Sequence, residues 1–434
     1  MRPKSTRWSP RTPLTRVLVA IAMSLSLGTI SKAQSAEEAT APLTLDEALQ
    51  EAHRANRELP LARFDLSAAQ ARAKQARGGL YPSLSLEGDI HDGTPQRYAS
   101  GDALMAVFAR VPLYAGGALR AERARTEALV DARGAGYRMA VRDVDFEVRA
   151  DFARIVRAET TLEFRRHAVA RLRAYLSQVE SRLAAGQGIA TEALLAKQRL
   201  ASARGDTATV ILDLDEARLN FNDLLGRKPS APLTLAPLPE PTPPPEYDEE
   251  AWRSAPDLQQ AGAEVRAAQS ELDATRAGRR PHLELEANAG AQPVLGTFDA
   301  PLNTGRDWGS EITLWFHLPL WDRGVHAGRM QEADAALQQA KQREIVVRHS
   351  ADLAWSKALS NLRNLYAELQ ARDEAVSVAR DAYLQAESLY RGGQSRALEV
   401  LDAYDAWIQA GQDRLDVIYA YRLARAELQR WGKP

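Results

Sequence analysis

The sequence predicts a mainly α-helical fold with a smaller part built from β-strands. Two compositional observations predict it. Four long stretches without proline are rich in helix-forming residues, and four short runs alternate apolar with polar residues. The third observation is an internal repeat, which gives each half of the chain the same order of elements. That order is a strand hairpin, a long helix, a tip and a second long helix.

The proline-free stretches cover residues of about 118–185, 190–225, 325–391 and 397–430. Proline is the residue that most strongly breaks a helix, so nothing in these stretches forces an interruption. Apolar residues recur there at spacings of three and four, as on the buried stripe of a helix. A helix of roughly 67 residues is about 100 Å long, which exceeds what one compact domain needs. The sequence therefore predicts long helical hairpins.

The alternating runs are residues 82–90, 281–289, 311–318 and, with weaker alternation, 103–111. Each would form a strand with one apolar face and one polar or acidic face. Such strands are typical of a membrane β-barrel with a wet interior, and a two-sheet soluble domain is the alternative. Four strands are too few to close a barrel. Closure would need several chains, and three chains would supply twelve strands.

The repeat is visible as two offsets between the halves. Residues 58–62 match residues 257–261 at an offset of 199, and residues 111–114 match residues 318–321 at an offset of 207. The second offset persists to the glycines and acids at the predicted tips. A shared scaffold for the two halves follows from this order of matches.

The halves meet at a proline-rich segment, residues 229–247. Such a composition favours extended polyproline conformation and predicts a semi-rigid linker. We therefore expect a first repeat over residues 34–228 and a second over 248–434. Residues 1–33 read as a signal peptide with a basic start and an apolar run of 14 residues, shorter than the roughly 20 of a membrane-spanning helix. We expect cleavage after Ala33, with Ala36 as the alternative.

Composition excludes several classes of function. The net charge is −1, which gives no electrostatic basis for a nucleic-acid partner. The chain has no cysteine, so it has neither disulfides nor a thiolate metal site. The seven histidines form no recognised metal motif, and no phosphate-binding loop or nucleophile elbow occurs. We expect no enzyme activity, no cofactor and no metal site.

Several motifs, taken in order, resemble those of the TolC family of outer membrane efflux proteins over essentially the whole mature chain. LTLDEAL at 43–49 is similar to the family's opening. YP at 81–82 and RP at 280–281 resemble its entries into the first strand of each half. The remaining motifs are VPLYAGG at 111–117, LPLWDRG at 318–324, RLAAG at 182–186 and LYRGG at 389–393. The first pair resembles the family's strand-to-helix signatures, and the second pair its helix-hairpin tips.

The resemblance implies a homotrimer in which long antiparallel helical hairpins form a periplasmic α-barrel and four strands per chain form a twelve-stranded outer-membrane β-barrel. Such a protein is the outer membrane factor of a tripartite efflux or type I secretion system. It is a passive exit duct in outer-membrane lipid, opened at its periplasmic tip by an adaptor and an inner-membrane pump of RND, ABC or MFS type. The alternative, which helical hairpins suit equally, is a periplasmic coiled-coil adaptor or structural rod.

The resemblance also implies roles for residues at the tips. Gly186 and Gly393 match the glycines of the two hairpin tips. Glu399 and Asp402 match acids that form the constriction ring of the family. Their spacing of three places both on one helix face, and in a trimer they would form stacked carboxylate rings that attract cations. A solvated acidic face is the alternative.

A latch that holds the tip closed is the second implied feature. The expected latch residues are Tyr390, Glu192, Thr191 and Arg396. Tyr390 would donate a charge-assisted hydrogen bond to the carboxylate of Glu192. The family has a basic residue where this chain has Ser395, so Arg396 or Arg391 is expected to replace it. A tyrosine that only packs between helices is the alternative for Tyr390.

Overall fold

The computed structural model describes residues 42–91, 101–186, 189–291, 294–295 and 308–431. The expected signal peptide, residues 1–33, lies outside the described residues. In chain order the elements are α1 (Leu45–Ala55), α2 (Leu59–Gly78), β1 (Ser83–His91), β2 (Gly101–Ala115), α3 (Ala118–Ala184), α4 (Ala190–Leu224), α5 (Pro256–Ala277), β3 (His282–Ala291), β4 (Val294–Leu295), β5 (Trp308–His317), α6 (Val325–Arg391) and α7 (Ala397–Trp431).

Four long helices form two hairpins, one in each half of the chain. Helices α3 and α6 are each 67 residues long, and α4 and α7 are each 35 residues long. Their ends fall within one residue of the predicted ends. Helix α4 packs against α3, and α7 packs against α6. At about 1.5 Å per residue, α3 and α6 are rods of about 100 Å.

The shorter helices α2 and α5 pack against the long helices α3 and α6. Helix α4 covers only part of α3, and α2 packs against another part of it. In the second half α5 takes the corresponding place on α6 and also lies against α3, so it joins the two hairpins. Among the described residues, no helix is both long enough and apolar enough to cross a membrane.

Buried aromatic residues mark the core of each hairpin. In the first half Phe152 of α3 and Phe221 of α4 meet edge to face with ring centroids 6.1 Å apart. Both rings are fully buried. In the second half Trp355 of α6 and Tyr421 of α7 are each 1% exposed. Burial of one such ring typically contributes about 1.5–3 kcal/mol, so these positions stabilise the hairpins.

The proline-rich segment packs against the helices and is not a free spacer. The backbone of Leu43 pairs with that of Leu235, whose side chain is buried. Further along, the Tyr421 hydroxyl donates to the carbonyl of Thr242 at 2.6 Å. The guanidinium of Arg422 donates to the carbonyl of Pro239 at 3.0 Å. Contacts to the residues just before α1 and to α7 therefore hold the segment that connects the two halves.

One glycine beyond the end of α4 is required by a close approach of backbone. Gly226 has a positive φ of 71°, in the left-handed region that favours glycine. A Cβ atom built there would lie 2.5 Å from the carbonyl oxygen of Ala55. That oxygen belongs to the last residue of α1, so Gly226 allows α1 to rest against the end of the first hairpin.

The strands form one antiparallel sheet in the order β1-β2-β3-β5, and β4 pairs with the start of β2. Register is set by pairs such as Leu86 with Val107 and Leu285 with Leu314. The four predicted strands are confirmed with small shifts of their ends. The two-residue β4 was not predicted, and residues 92–100, 292–293 and 296–307, which connect the strands, lie outside the described residues.

The two faces of the sheet differ in chemistry, as the alternation predicts. One face carries large apolar side chains in the open, among them Leu84 and Ile312, each 76% exposed. The other face carries an ion-pair network centred on Arg110 of β2. Arg110 Nη1 lies 2.5 Å from Glu87 Oε1, and its Nε lies 2.7 Å from Glu286 Oε2. One face is therefore suited to an apolar environment and the other to water.

Candidate functional site

The far ends of the hairpins are built around two glycines with positive φ. Gly186 follows the end of α3 with a φ of 73°, and Gly393 follows the end of α6 with the same φ. At the second tip the amide of Gly393 donates to the carbonyl of Tyr390, and the amide of Gln394 donates to the carbonyl of Leu389. These bonds satisfy the last carbonyls of α6 and fix the direction in which the chain leaves it.

Tyr390 lies one turn before this glycine and is buried, with 6% of its surface exposed. Its ring centroid is 6.0 Å from that of Tyr175 on α3. The guanidinium of Arg182 lies 4.5 Å from the Tyr390 ring centroid, within cation–π distance. Burial raises the pKa of the Tyr175 phenol most. The neighbouring Tyr390, to which it is hydrogen-bonded, and the charge of Glu192 raise it further. Tyr175 and Arg182 of α3 and Tyr390 of α6 thus form one cluster, which joins the tips of the two hairpins.

This cluster bears on the expected latch. The charge of Glu192 acts on Tyr175, and the ring of Tyr390 lies against the side chains of Tyr175 and Arg182. A direct bond from Tyr390 to Glu192 stays a prediction. Thr191 is exposed in the first turn of α4, and Arg396 is exposed just before α7. Within the described part of the chain the Arg396 side chain has no ion-pair partner, so the cation beside the tyrosine is Arg182.

The acids expected at the constriction lie on the first turns of α7. The hydroxyl of Ser395 donates to Glu399 Oε2 at 2.6 Å, so the residue that departs from the family's basic pattern holds this carboxylate. Asp402 has a side chain that is 62% exposed, and its carboxylate lies 3.7 Å from the guanidinium of Arg199. Both acids face solvent from the same side of α7, as their spacing predicts.

A third acid extends this face. Asp405 Oδ2 lies 2.5 Å from Arg199 Nη1, which makes it the principal partner of that arginine. Burial raises the pKa of the Asp405 carboxyl; the Arg199 guanidinium lowers it, and the charge of Asp402 raises it again. Asp402, Asp405 and Arg199 of the other hairpin therefore form one charged group, and Glu399 lies about one turn before Asp402 on the same helix.

An aromatic stack lies next to the charged group and ties the hairpins together. The rings of Tyr383 and Trp407 are stacked at 5.5 Å with an interplanar angle of 11°. Arg171 of α3 lies 5.1 Å from the Trp407 ring centroid. Close by, a Cβ atom at Gly411 would lie 2.6 Å from Cζ of Phe164, so the absence of a side chain lets α3 approach α7. The stack therefore fixes the position of α7 beside α3.

Sequence reasoning missed four members of the site: Tyr175, Arg182, Arg199 and Asp405. The spacing of three from Glu399 to Asp402, carried one step further, would have found Asp405. Arg199 lies seven residues after Glu192, two helical turns along the same face, which is a weaker indication. Tyr175 and Arg182 are recognisable only from the contacts of their side chains with Tyr390 of α6.

Comparison of the sequence with known protein families identifies the family of this chain. The model of the outer membrane efflux protein family matches residues 48–227 and 249–431. The chain belongs to the outer membrane efflux protein family. The family's proteins are outer membrane efflux proteins, and the assignment places this efflux protein in the outer membrane.

Known proteins similar to this efflux protein agree with the assignment. It is 28% identical to the pyoverdine export outer membrane protein OpmQ of Pseudomonas putida over 55% of the chain, and the match spans 50% of that protein. Its fold is similar to that of VceC from Vibrio cholerae, with a TM-score of 0.80, 20% identity and coverage of 89% and 96% of the two chains. It is also similar to the open state of MtrE from Neisseria gonorrhoeae, with a TM-score of 0.78, 18% identity and coverage of 89% and 88%.

Proposed function

We propose that this outer membrane efflux protein is the passive exit duct of a tripartite efflux or secretion system. The observation that carries the proposal is the combination, on one chain of this family, of two long helical hairpins with a sheet whose apolar face is exposed. The rods would reach into the periplasm, and the sheet would lie in lipid. The relative's name refers to export across the same membrane, which supports outward transport.

The edges of the sheet support the proposal that the protein is a homotrimer. Strands β1 and β5 each pair on one side, and among the described residues no strand lies beside their outer edges. Unpaired edges in an apolar environment are costly because their backbone groups lack partners. Three copies joined edge to edge would close a ring of twelve strands, with Ile312 facing lipid and Arg110 facing the interior.

The tips would form the periplasmic gate. Tyr390 and Glu192, with Arg182 and Tyr175, would hold the hairpins together in the closed state, and Glu399 and Asp402 would line the constriction. An adaptor and an inner-membrane pump of RND, ABC or MFS type would open it. No catalytic chemistry is required, since the pump supplies the free energy of transport.

The chain division proposed for this duct is a signal peptide at 1–33, repeats at 34–228 and 248–434, and the linker at 229–247. The shared order of sheet hairpin, long helix and shorter helix in the two halves supports it. A periplasmic adaptor or structural rod is not favoured, because the family match covers both halves of the chain.

Membrane fractionation of a matched pair of β5 variants tests the proposal. Ile312→Lys places a charge on the apolar face, which in a lipid-facing strand costs about 2–4 kcal/mol near the middle of the bilayer. Thr313→Lys places the same charge on the neighbouring residue of the polar face. We expect heat-modifiable trimers in the outer-membrane fraction for the parent and Thr313→Lys, and depletion for Ile312→Lys. A parent protein found wholly soluble in the periplasm would overturn the proposal.

A further inference from the structure

Arg199 makes a bridge between the two hairpins close to the tips. It projects from α4 of the first hairpin toward two aspartates of α7 in the second. One terminal nitrogen lies 2.5 Å from Asp405, and another lies 3.7 Å from Asp402. A single guanidinium therefore lies between Asp402, which is expected to line the constriction, and Asp405 one turn further along α7.

The internal repeat shows that the scaffold does not need this bridge. At the offset of 207, the counterpart of Arg199 in the second half is Ala406. The counterparts of Asp402 and Asp405 in the first half are Leu195 and Gln198. Helices α4 and α7 nevertheless have the same length of 35 residues. Arg199, Asp402 and Asp405 therefore form charged contacts between the hairpins that the internal repeat does not duplicate.

The solvent exposure of the three charged side chains indicates the role of the Arg199 bridge. The side chains of Arg199, Asp402 and Asp405 are 37%, 62% and 40% exposed. Exposed ion pairs contribute little to stability because water screens the attraction between their charges. Their field still acts on a passing ion within a Debye length, which is about 10 Å at 0.1 M salt. The effect of Arg199 on ions in the passage should therefore exceed its effect on folding.

We propose that Arg199 determines the charge selectivity of the tip by offsetting part of the negative charge of Glu399, Asp402 and Asp405. The inference rests on the proposed function as a duct. Three acids and one arginine leave a net charge of about −2 for each protomer, in place of about −3 for the acids alone. This weaker field lowers the barrier to anionic solutes, which a bare ring of carboxylates would repel.

The test is the ratio of K⁺ to Cl⁻ permeability, measured from the reversal potential of the purified full-length protein in a planar bilayer under a KCl gradient. Arg199→Gln should raise the ratio roughly two- to threefold near 0.1 M salt. The effect should fade near 1 M, where the Debye length is about 3 Å. Arg199→Lys keeps the charge and should give the parent ratio. Asp405→Asn, which removes one acid, should lower the ratio.

Lys197 provides the matched control on the same helix. Its Nζ lies 3.0 Å from Glu180 of α3, so Lys197→Gln also removes one positive charge and one interhelical ion pair. We expect this variant to keep the parent ratio. Equal shifts from Arg199→Gln and Lys197→Gln, or no shift from Arg199→Gln, would overturn the inference and leave the duct intact. A parent protein that forms no channel would overturn the proposed function itself.

Discussion

Removing the hydroxyl of Tyr390 while keeping its ring tests the gate most specifically. In Tyr390→Phe the contact with Arg182 and the packing against Tyr175 remain, because both involve the ring. The hydrogen bond between the two phenols is lost. The variant therefore isolates one polar contact between α3 and α6 at the end of the rods.

The magnitude follows from the value of one buried hydrogen bond, about 0.5–1.5 kcal/mol. At about 1 kcal/mol per protomer, a trimer whose tips open together loses about 3 kcal/mol of preference for the closed state. Every 1.4 kcal/mol corresponds to a factor of ten, so the open fraction should rise roughly one hundredfold. If the tips open independently, the rise should be about fivefold for each tip.

Single-channel recording of the open fraction is the assay, together with the sensitivity of cells to a large antibiotic that the outer membrane normally excludes. Tyr366→Phe is the control, because Tyr366 is a half-buried tyrosine of the same helix whose ring pairs with Tyr421 away from the tip. Tyr175→Phe should match Tyr390→Phe, and the double variant should add little to either. Parent-like gating in both tip variants, or additive effects in the double variant, would refute the latch.

Three further predictions concern the constriction and the scaffold. Replacing Glu399 and Asp402 together with alanine should weaken block by multivalent cations in a planar bilayer, and unchanged block would remove them from the constriction. Gly226→Ala should destabilise the protein by about 2–4 kcal/mol, from its positive φ and the backbone clash, whereas Gly205→Ala on the exposed face of α4 should stabilise it by about 1 kcal/mol. Thermal unfolding at one scan rate compares the two, and equal midpoints would contradict the clash. Tyr421→Phe should cost about 1 kcal/mol and speed proteolysis of the proline-rich segment, and a parent-like rate would show that the hydroxyl does not hold it.

The long helices could be predicted from the sequence because their signal is spread over many residues. In α3 and α6 the absence of proline and the bias toward helix-forming residues extend over 67 positions. A single residue of low helix propensity therefore does not change the predicted ends of either helix. The alternation in β1, β3 and β5 was equally informative, because a period of two between apolar and polar residues predicts a strand with two different faces. The two-residue β4 has no such length, and pairing with β2 alone defines it.

The site was harder to predict because its contacts join distant parts of the chain. Spacing along α7 correctly placed Glu399 and Asp402 on one face. It carries no information about which residue of α4 approaches that face, so Arg199 was missed. The rotation of α3 about its own axis decides that Arg182 meets Tyr390, and this rotation is set by packing between hairpins. Arg396, which was expected to replace the family's basic residue, is nearer to Tyr390 in sequence than Arg182 is. Its side chain is nevertheless exposed.

If this efflux protein forms a passive channel as a trimer, the isolated trimer should conduct ions. Conductance of the purified, SDS-resistant trimer in a planar bilayer tests it most directly. We expect discrete current steps of one size, a low open fraction in the parent and a much higher open fraction in Tyr390→Phe. A trimer that leaves the bilayer without conductance, in the parent and in Tyr390→Phe alike, would contradict it.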